Sequence, residues 1–187
     1  MGVDRSRRFT AGANTRGPVV DAYYTAHTGF HVLANGSPAM PVYYEDVEVG
    51  TVETNGDYDV TREEVLSFAE RYDPQWFHTE PDRAAEESPY GGVIASGWHT
   101  AAMTMRLLVE GTLADAATVG AKGVDELRWP VPVRPGDSLH IENEVLEKVP
   151  ERPERGLIRA RTRTFNQDDE RVFSMIGNVM YLRRSDE

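Results

Sequence analysis

The chain has 187 residues, 40% of them hydrophobic, which suits a single domain with a real core, about 100–200 residues being the usual span of one domain. Its formal net charge of −11 repels a phosphate backbone and so argues against nucleic-acid binding. With no cysteine it has neither disulfides nor thiolate metal sites, and without an apolar run of about 18 residues it predicts no transmembrane helix.

Residues 1–39 hold four arginines and two aspartates, so the acidity of the chain lies after them. That stretch shows no sustained strand or helix period and is rich in Gly, Ala, Thr and Asn; it is expected to be a poorly ordered extension. It also lacks the continuous apolar core of a secretory signal, which points to a cytoplasmic protein. Met40 opens "MPVYYEDVEVG" as a natural domain start, giving an expected domain of 40–187 and an upstream start codon as one origin of what precedes it.

"TVETNGDYDV", 51–60, reads as a strand bent at its Asn-Gly. Thr61 and Glu64 form a capping box, and Val65, Phe68, Ala69 and Tyr72 then fall on one face of a short helix. Pro74 disfavours helical geometry at Asp73, so "YDPQWFH" is expected to leave that helix as a loop carrying an acid, Asp73, and an imidazole, His78. Residues 79–92 are polar, and "SPYGG" breaks regular structure. Residues 94–113, "IASGWHTAAMTMRLLVEGTL", are apolar or small nearly all round, with only Arg106 and Glu110 charged; they predict a long helix buried in protein.

The remainder is sheet-like. "VDELRWPVPV" is an extended run that Pro130 and Pro132 confine to an edge or bulge, and "RPGD" is a turn. Leu139, Ile141, Asn143, Val145 and Val149 alternate with polar residues, with a slip near Leu146. Ile158, Ala160, Thr162 and Thr164 alternate with Arg159, Arg161 and Arg163, and "RVFSMIGNVMYLRR" closes a hairpin. The predicted order is strand, short helix, long helix, then four antiparallel strands, without a repeat.

Three stretches, "DPQWFH", "GGVIASGWHT" and "LRWPVPVRPGD", resemble the MaoC-like dehydratases, kin of the (R)-specific enoyl-CoA hydratases, over about residues 40–183. The family motif is Asp-x-Asn-Pro-x-His. The acid-to-imidazole spacing matches, while Gln75 stands where Asn is usual and the proline has moved to 74. The resemblance implies an α+β hot-dog fold, a long central helix wrapped by an antiparallel β-sheet, usually dimeric with active sites near the dimer interface. It implies reversible hydration of trans-2-enoyl-CoA to (R)-3-hydroxyacyl-CoA, with no metal or redox cofactor and with coenzyme A entering as part of the acyl-CoA substrate. A homodimer or higher homo-oligomer is the expected assembly, with no membrane or nucleic-acid partner.

Hydration of a conjugated thioester needs a base for water and a donor for the developing oxyanion. Asp73 and His78 suit the first task, and either can be the principal base. The amide of Gly97, at the expected start of the long helix, suits the second, and the family analogy places the donor at this same glycine. Alternatively, Gly91, Gly92 and Gly97 allow only a turn and tight packing. Gln75, Ser96 and Trp98 are expected to line the substrate pocket. Trp76 and Phe77 either wall the acyl channel or anchor their loop. His99 either lines the pocket or is a hydrogen-bonded core histidine. The scattered histidines, without H-x3-H spacing, make a metal site unexpected. Arg159, Arg161 and Arg163 either hold coenzyme A phosphates or pair with acids across an outer sheet face. The rival readings are a hot-dog acyl-CoA thioesterase and a non-catalytic acyl-CoA-binding subunit.

Overall fold

A computed structural model of the chain describes residues 40–184; the expected N-terminal extension, residues 1–39, lies outside the described residues. After a turn of 3₁₀ helix (Tyr44–Asp46) come β1 (Val52–Asp59), α1 (Arg62–Tyr72), α2 (Trp76–Thr79), α3 (Pro81–Glu87), α4 (Gly97–Glu110), β2 (Thr118–Arg128), β3 (Ser138–Arg152), β4 (Arg155–Phe165) and β5 (Arg171–Leu182). The strands form one antiparallel sheet in the order β1-β3-β4-β5-β2. This is the hot-dog arrangement, with α4 packed against the sheet. Among the described residues no helix is long and apolar enough to cross a membrane.

The expected alternations set the two faces of the sheet. Leu139, Ile141, Asn143 and Val145 of β3 and Ile158, Ala160, Thr162 and Thr164 of β4 all point inward and are buried. The slip near Leu146 is a bulge between Val145 and Glu147, where one extra residue resets the period. β1 bulges between Asn55 and Tyr58, around Gly56, whose φ of +116° suits glycine. Met103, Leu107 and Leu108 of α4 meet Leu139 and Ile141 of β3 and Phe173 of β5 in the main core. Within this apolar layer the Thr104 hydroxyl on α4 bonds that of Thr164 on β4 at 2.7 Å, pinning the helix to the sheet.

The structure departs from the sequence expectations in four places. The long helix starts at Gly97 and not at Ile94, because Ser96 takes the N-cap position in extended geometry. That helix is not buried on most sides: Trp98, Met105 and Val109 are 60%, 44% and 53% exposed, since the sheet covers one face only. The loop after Asp73 closes into the turn α2, and polar residues 81–87 form α3, with Pro81 at its first turn where the missing N–H costs nothing. The capping box is half made. Thr61 accepts the Glu64 amide at 3.2 Å, but the Glu64 carboxylate accepts from the Tyr58 hydroxyl at 3.0 Å instead of returning to Thr61. The run from Val124 does fall at the sheet edge, as expected: β2 is the edge strand and ends at Arg128, before the prolines.

The Thr104–Thr164 bond yields a prediction. Thr104→Val strands the buried Thr164 hydroxyl and is expected to destabilise by about 1–3 kcal/mol, whereas adding Thr164→Val recovers part of the loss. Urea unfolding of the two variants measures this; an additive double variant contradicts the pairing.

Candidate active site

The site is assembled from the ends of two helices. Asp73 is the C-cap of α1: its N–H returns to the Ala69 carbonyl at 2.9 Å, and Pro74 then forces the chain away. The tight turn Asp73–Gln75, closed by the Gln75 N–H on the Asp73 carbonyl at 2.8 Å, leads into α2, which carries His78. From the other side, Ile94–Ser96 run extended into α4. The Ala95 N–H donates to the Val133 carbonyl at 2.8 Å, fixing this strand-like entry against the Pro-rich segment after β2.

His78 is buried, and its Nδ1 lies 2.8 Å from the Ile94 carbonyl. A carbonyl only accepts, so Nδ1 carries a proton, which leaves Nε2 as the ring atom facing Asp73. That Nε2 stands 3.5 Å from Asp73 Oδ2. Asp73 is held on three sides: Gln75 Nε2 donates to Oδ1 at 2.9 Å, Ser96 Oγ donates to Oδ2 at 2.7 Å, and His78 faces Oδ2. Partial burial alone pushes the Asp73 carboxyl up, but the Ser96 and Gln75 hydrogen bonds and the nearby imidazole together outweigh it and hold the group below its ordinary value. Asp73 is therefore an ionised carboxylate at neutral pH.

Gly97 is the first residue of α4, so its N–H has no acceptor within the helix and points out of the helix tip. Asp73, His78 and Gly97 line one cleft of about 440 Å³, together with Gln75, Phe77 and Trp98. The other three residues expected there do not line it. Ser96 is fully buried, and its hydroxyl is spent on Asp73 and on accepting the Trp98 N–H at 3.2 Å; it positions the site. Trp76 packs under the Arg83 guanidinium, 4.5 Å from the ring centre, and edge-on to Phe77, anchoring the turn. His99 is 6% exposed and stacks on Phe68 at 4.6 Å, joining α4 to α1, and its Nδ1 has no partner. Burial pushes the His99 imidazole below its ordinary value, against the opposing charge of Glu64, so it is neutral.

Sequence reasoning missed Trp129 and Tyr90, which also line the cleft. Trp129 Nε1 donates to the Gly97 carbonyl at 2.7 Å, and a Cβ on Gly97 would sit 2.8 Å from the indole. Glycine thus serves close packing and leaves its amide accessible at once. The signal for Trp129 was its place in "LRWPVPVRPGD"; Tyr90 offered none. The arginine stripe faces acids: Arg159 pairs with Glu147 and Asp125, and Arg161 and Arg163 pair with Glu144. A second cavity of about 190 Å³, between α4 and the sheet, holds none of the expected site residues.

Comparison with known proteins gives consistent results. The sequence model of the MaoC-like domain family matches residues 46–169. The uncharacterised protein YdeM of Bacillus subtilis (strain 168) is 31% identical over 140 residues, 74% of this chain and 98% of its own length. The 3-hydroxybutyryl-CoA dehydratase of Methylorubrum extorquens is 34% identical over 113 residues, 59% of this chain and 68% of its own. The crystal structure of the MaoC-like dehydratase from Rhodospirillum rubrum superposes with a TM-score of 0.69 at 38% identity, covering 78% of this chain and 99% of that one.

The ties on Asp73 generate a prediction. Ser96→Ala removes a bond that favours the ionised form, so the Asp73 titration midpoint is expected to move to higher pH than in the unaltered protein. A carbon-detected NMR titration of the carboxyl reads this directly. An unmoved midpoint would show that Ser96 does not tune Asp73. Loss of the same hydroxyl as N-cap is expected to cost about 1 kcal/mol of stability.

Proposed function

Because the chain belongs to the MaoC-like dehydratase family, and so to hydratase and dehydratase chemistry, we propose that it reversibly hydrates trans-2-enoyl-CoA to (R)-3-hydroxyacyl-CoA. The observation that carries this reading is the meeting of two groups able to exchange a proton, the Asp73 carboxylate and the His78 imidazole, 3.5 Å apart in the cleft that Gly97 also lines. A water entering the cleft beside this pair would be oriented by both groups.

In the hydration direction the oxygen of that water attacks the β-carbon and forms the new C–O bond. The electrons of the C=C bond move through the α-carbon onto the thioester oxygen, where the Gly97 N–H and the positive end of α4 stabilise the charge. The proton lost by water passes to the Asp73–His78 pair. The enolate then collapses and takes a proton from the pair at its α-carbon, so that H and OH have been added and the site is restored. The low intrinsic basicity of Asp73 matters here. It stays charged through the cycle and stabilises the imidazolium that forms when His78 holds the proton. His78 cannot rotate away, because its Nδ1–H is fixed on Ile94. The (R) stereochemistry is part of the proposal and is carried over from the family resemblance alone.

A second copy of the chain has an evident place in this reading. Trp98, Met105 and Val109 form an exposed apolar stripe on α4, and Trp98 extends from it into the cleft, so a dimer covering the stripe would also shield the site from water.

The test is a turnover assay with crotonyl-CoA, followed as loss of the conjugated enoyl-thioester absorbance. Asp73→Asn and His78→Ala are each expected to lower kcat at least about a hundredfold, the lower range for lost general acid–base catalysis. Undiminished turnover in both variants would defeat the assignment. Release of free thiol in place of hydration would indicate thioester hydrolysis.

A further inference from the structure

The thioester reading leaves one electrostatic question unanswered. Coenzyme A brings several negative charges to a protein of net charge −11, and the cleft itself holds the carboxylate of Asp73. A local cation must offset this for binding to be favourable. The stripe of arginines on β4 is already neutralised: Arg159, Arg161 and Arg163 are all engaged with carboxylates of neighbouring strands. Lys122 pairs with Glu151, and Arg183 and Arg184 pair with Glu45 and Asp46.

Arg134 is different. It follows Val133, a residue of the cleft wall, and is itself exposed. Its Nη2 donates to the carbonyl of Tyr90, another lining residue, at 2.6 Å. Its Nη1 lies over Gly92, 3.9 Å from where a Cβ would stand. The guanidinium is thus laid across the Tyr90–Gly92 turn, at the rim of the cleft. Among the described residues it reaches no carboxylate. Asp137, three positions on, is turned inward: its Oδ2 accepts the Arg134 backbone N–H at 2.7 Å and its Oδ1 accepts from Gln167 at 3.2 Å. The tether to Tyr90 uses one hydrogen of Nη2, and among the described residues Nε and Nη1 make no hydrogen bond, so donors remain for phosphate oxygens. Holding the side chain in place beforehand reduces the entropy lost on binding. Arg128, at the end of β2, spends Nη1 on the Leu127 carbonyl.

We infer that Arg134 is the anion anchor of the cleft and binds a phosphate of the pantetheine-bearing carrier whose thioester reaches Gly97. The inference rests on the thioester reading, and it adds a specificity residue outside the acid–base machinery. It sorts substrates by carrier and not by acyl group.

Binding and not turnover tests it, so its failure is separable from failure of the hydration reading. Trp98 and Trp129 line the cleft and report ligand by tryptophan fluorescence. The full chain, Arg134→Ala and, as a control for lost charge, Arg62→Ala are titrated with coenzyme A, 4′-phosphopantetheine and unphosphorylated pantetheine. Arg134→Ala is expected to weaken coenzyme A by about tenfold or more, the usual cost of a charged hydrogen-bonded contact, with pantetheine unchanged and Arg62→Ala without effect. A loss with coenzyme A but not with 4′-phosphopantetheine assigns the contact to the nucleotide phosphates and the carrier to free coenzyme A. A loss with both assigns it to the phosphate that acyl carrier proteins share. Equal weakening of pantetheine would mean that Arg134 only holds the Tyr90 turn in shape. That result, or coenzyme A binding no more tightly than pantetheine to the unaltered protein, overturns the inference.

Discussion

One buried hydroxyl ties the fold to the chemistry. Ser96 Oγ accepts the N–H of Trp98 and so starts α4; it donates to Asp73 Oδ2 and so holds the carboxylate at the tip of the same helix. A hydroxyl has one hydrogen, and here it goes to the acid. Because the cap fixes where the helix begins, it also fixes which amide is left free, and that amide is Gly97. Ionised acid, free N–H and helix start are therefore set by a single side chain with no exposure to solvent.

Around this junction the supporting contacts are mostly backbone or aromatic, which keeps the site rigid without adding charge to it. Ile94 offers a carbonyl to His78, Val133 offers one to Ala95, and Trp129 covers the Gly97 peptide while donating to its oxygen. His99 and Phe68 stack between α4 and α1, the two helices whose ends supply Gly97 and Asp73. A shift of either helix would move the donor relative to the acid, and a misplacement of about 1 Å is costly for catalysis. The Thr104–Thr164 bond serves the same end from the sheet side.

The acidity of the chain is organised. Acids and arginines alternate across the outer face of β3 and β4, so the face is close to neutral locally despite the overall charge. Each of these exposed pairs contributes little to stability. Their consequence is a matter of availability: arginines engaged with carboxylates are poor phosphate ligands. The tethered Arg134, at the cleft rim, is not so engaged.

Period and punctuation in the sequence determined much of this protein by themselves. The strict alternation of Ile158, Ala160, Thr162 and Thr164 with arginines fixed which face of β4 lies inward, because strand side chains can only alternate. The bulge near Leu146, the end of α1 at Asp73 and the bend at Asn55-Gly56 were legible for the same local reasons. The fixed spacing of Asp73 and His78, with "GGVIASGWHT", marked the pair proposed for acid–base work and the helix tip. Tertiary structure alone decided which way side chains near that tip faced. Ser96, Trp76 and His99 were as close in sequence as the true lining residues, yet they turn into the core or onto neighbouring rings. Trp129 comes from a more distant segment, and with Tyr90, from the turn between His78 and Gly97, it closes the cleft. A one-dimensional pattern records period and spacing; it carries no information on which of several adjacent polar groups finds its partner from a segment tens of residues away, and that pairing is what makes a cleft.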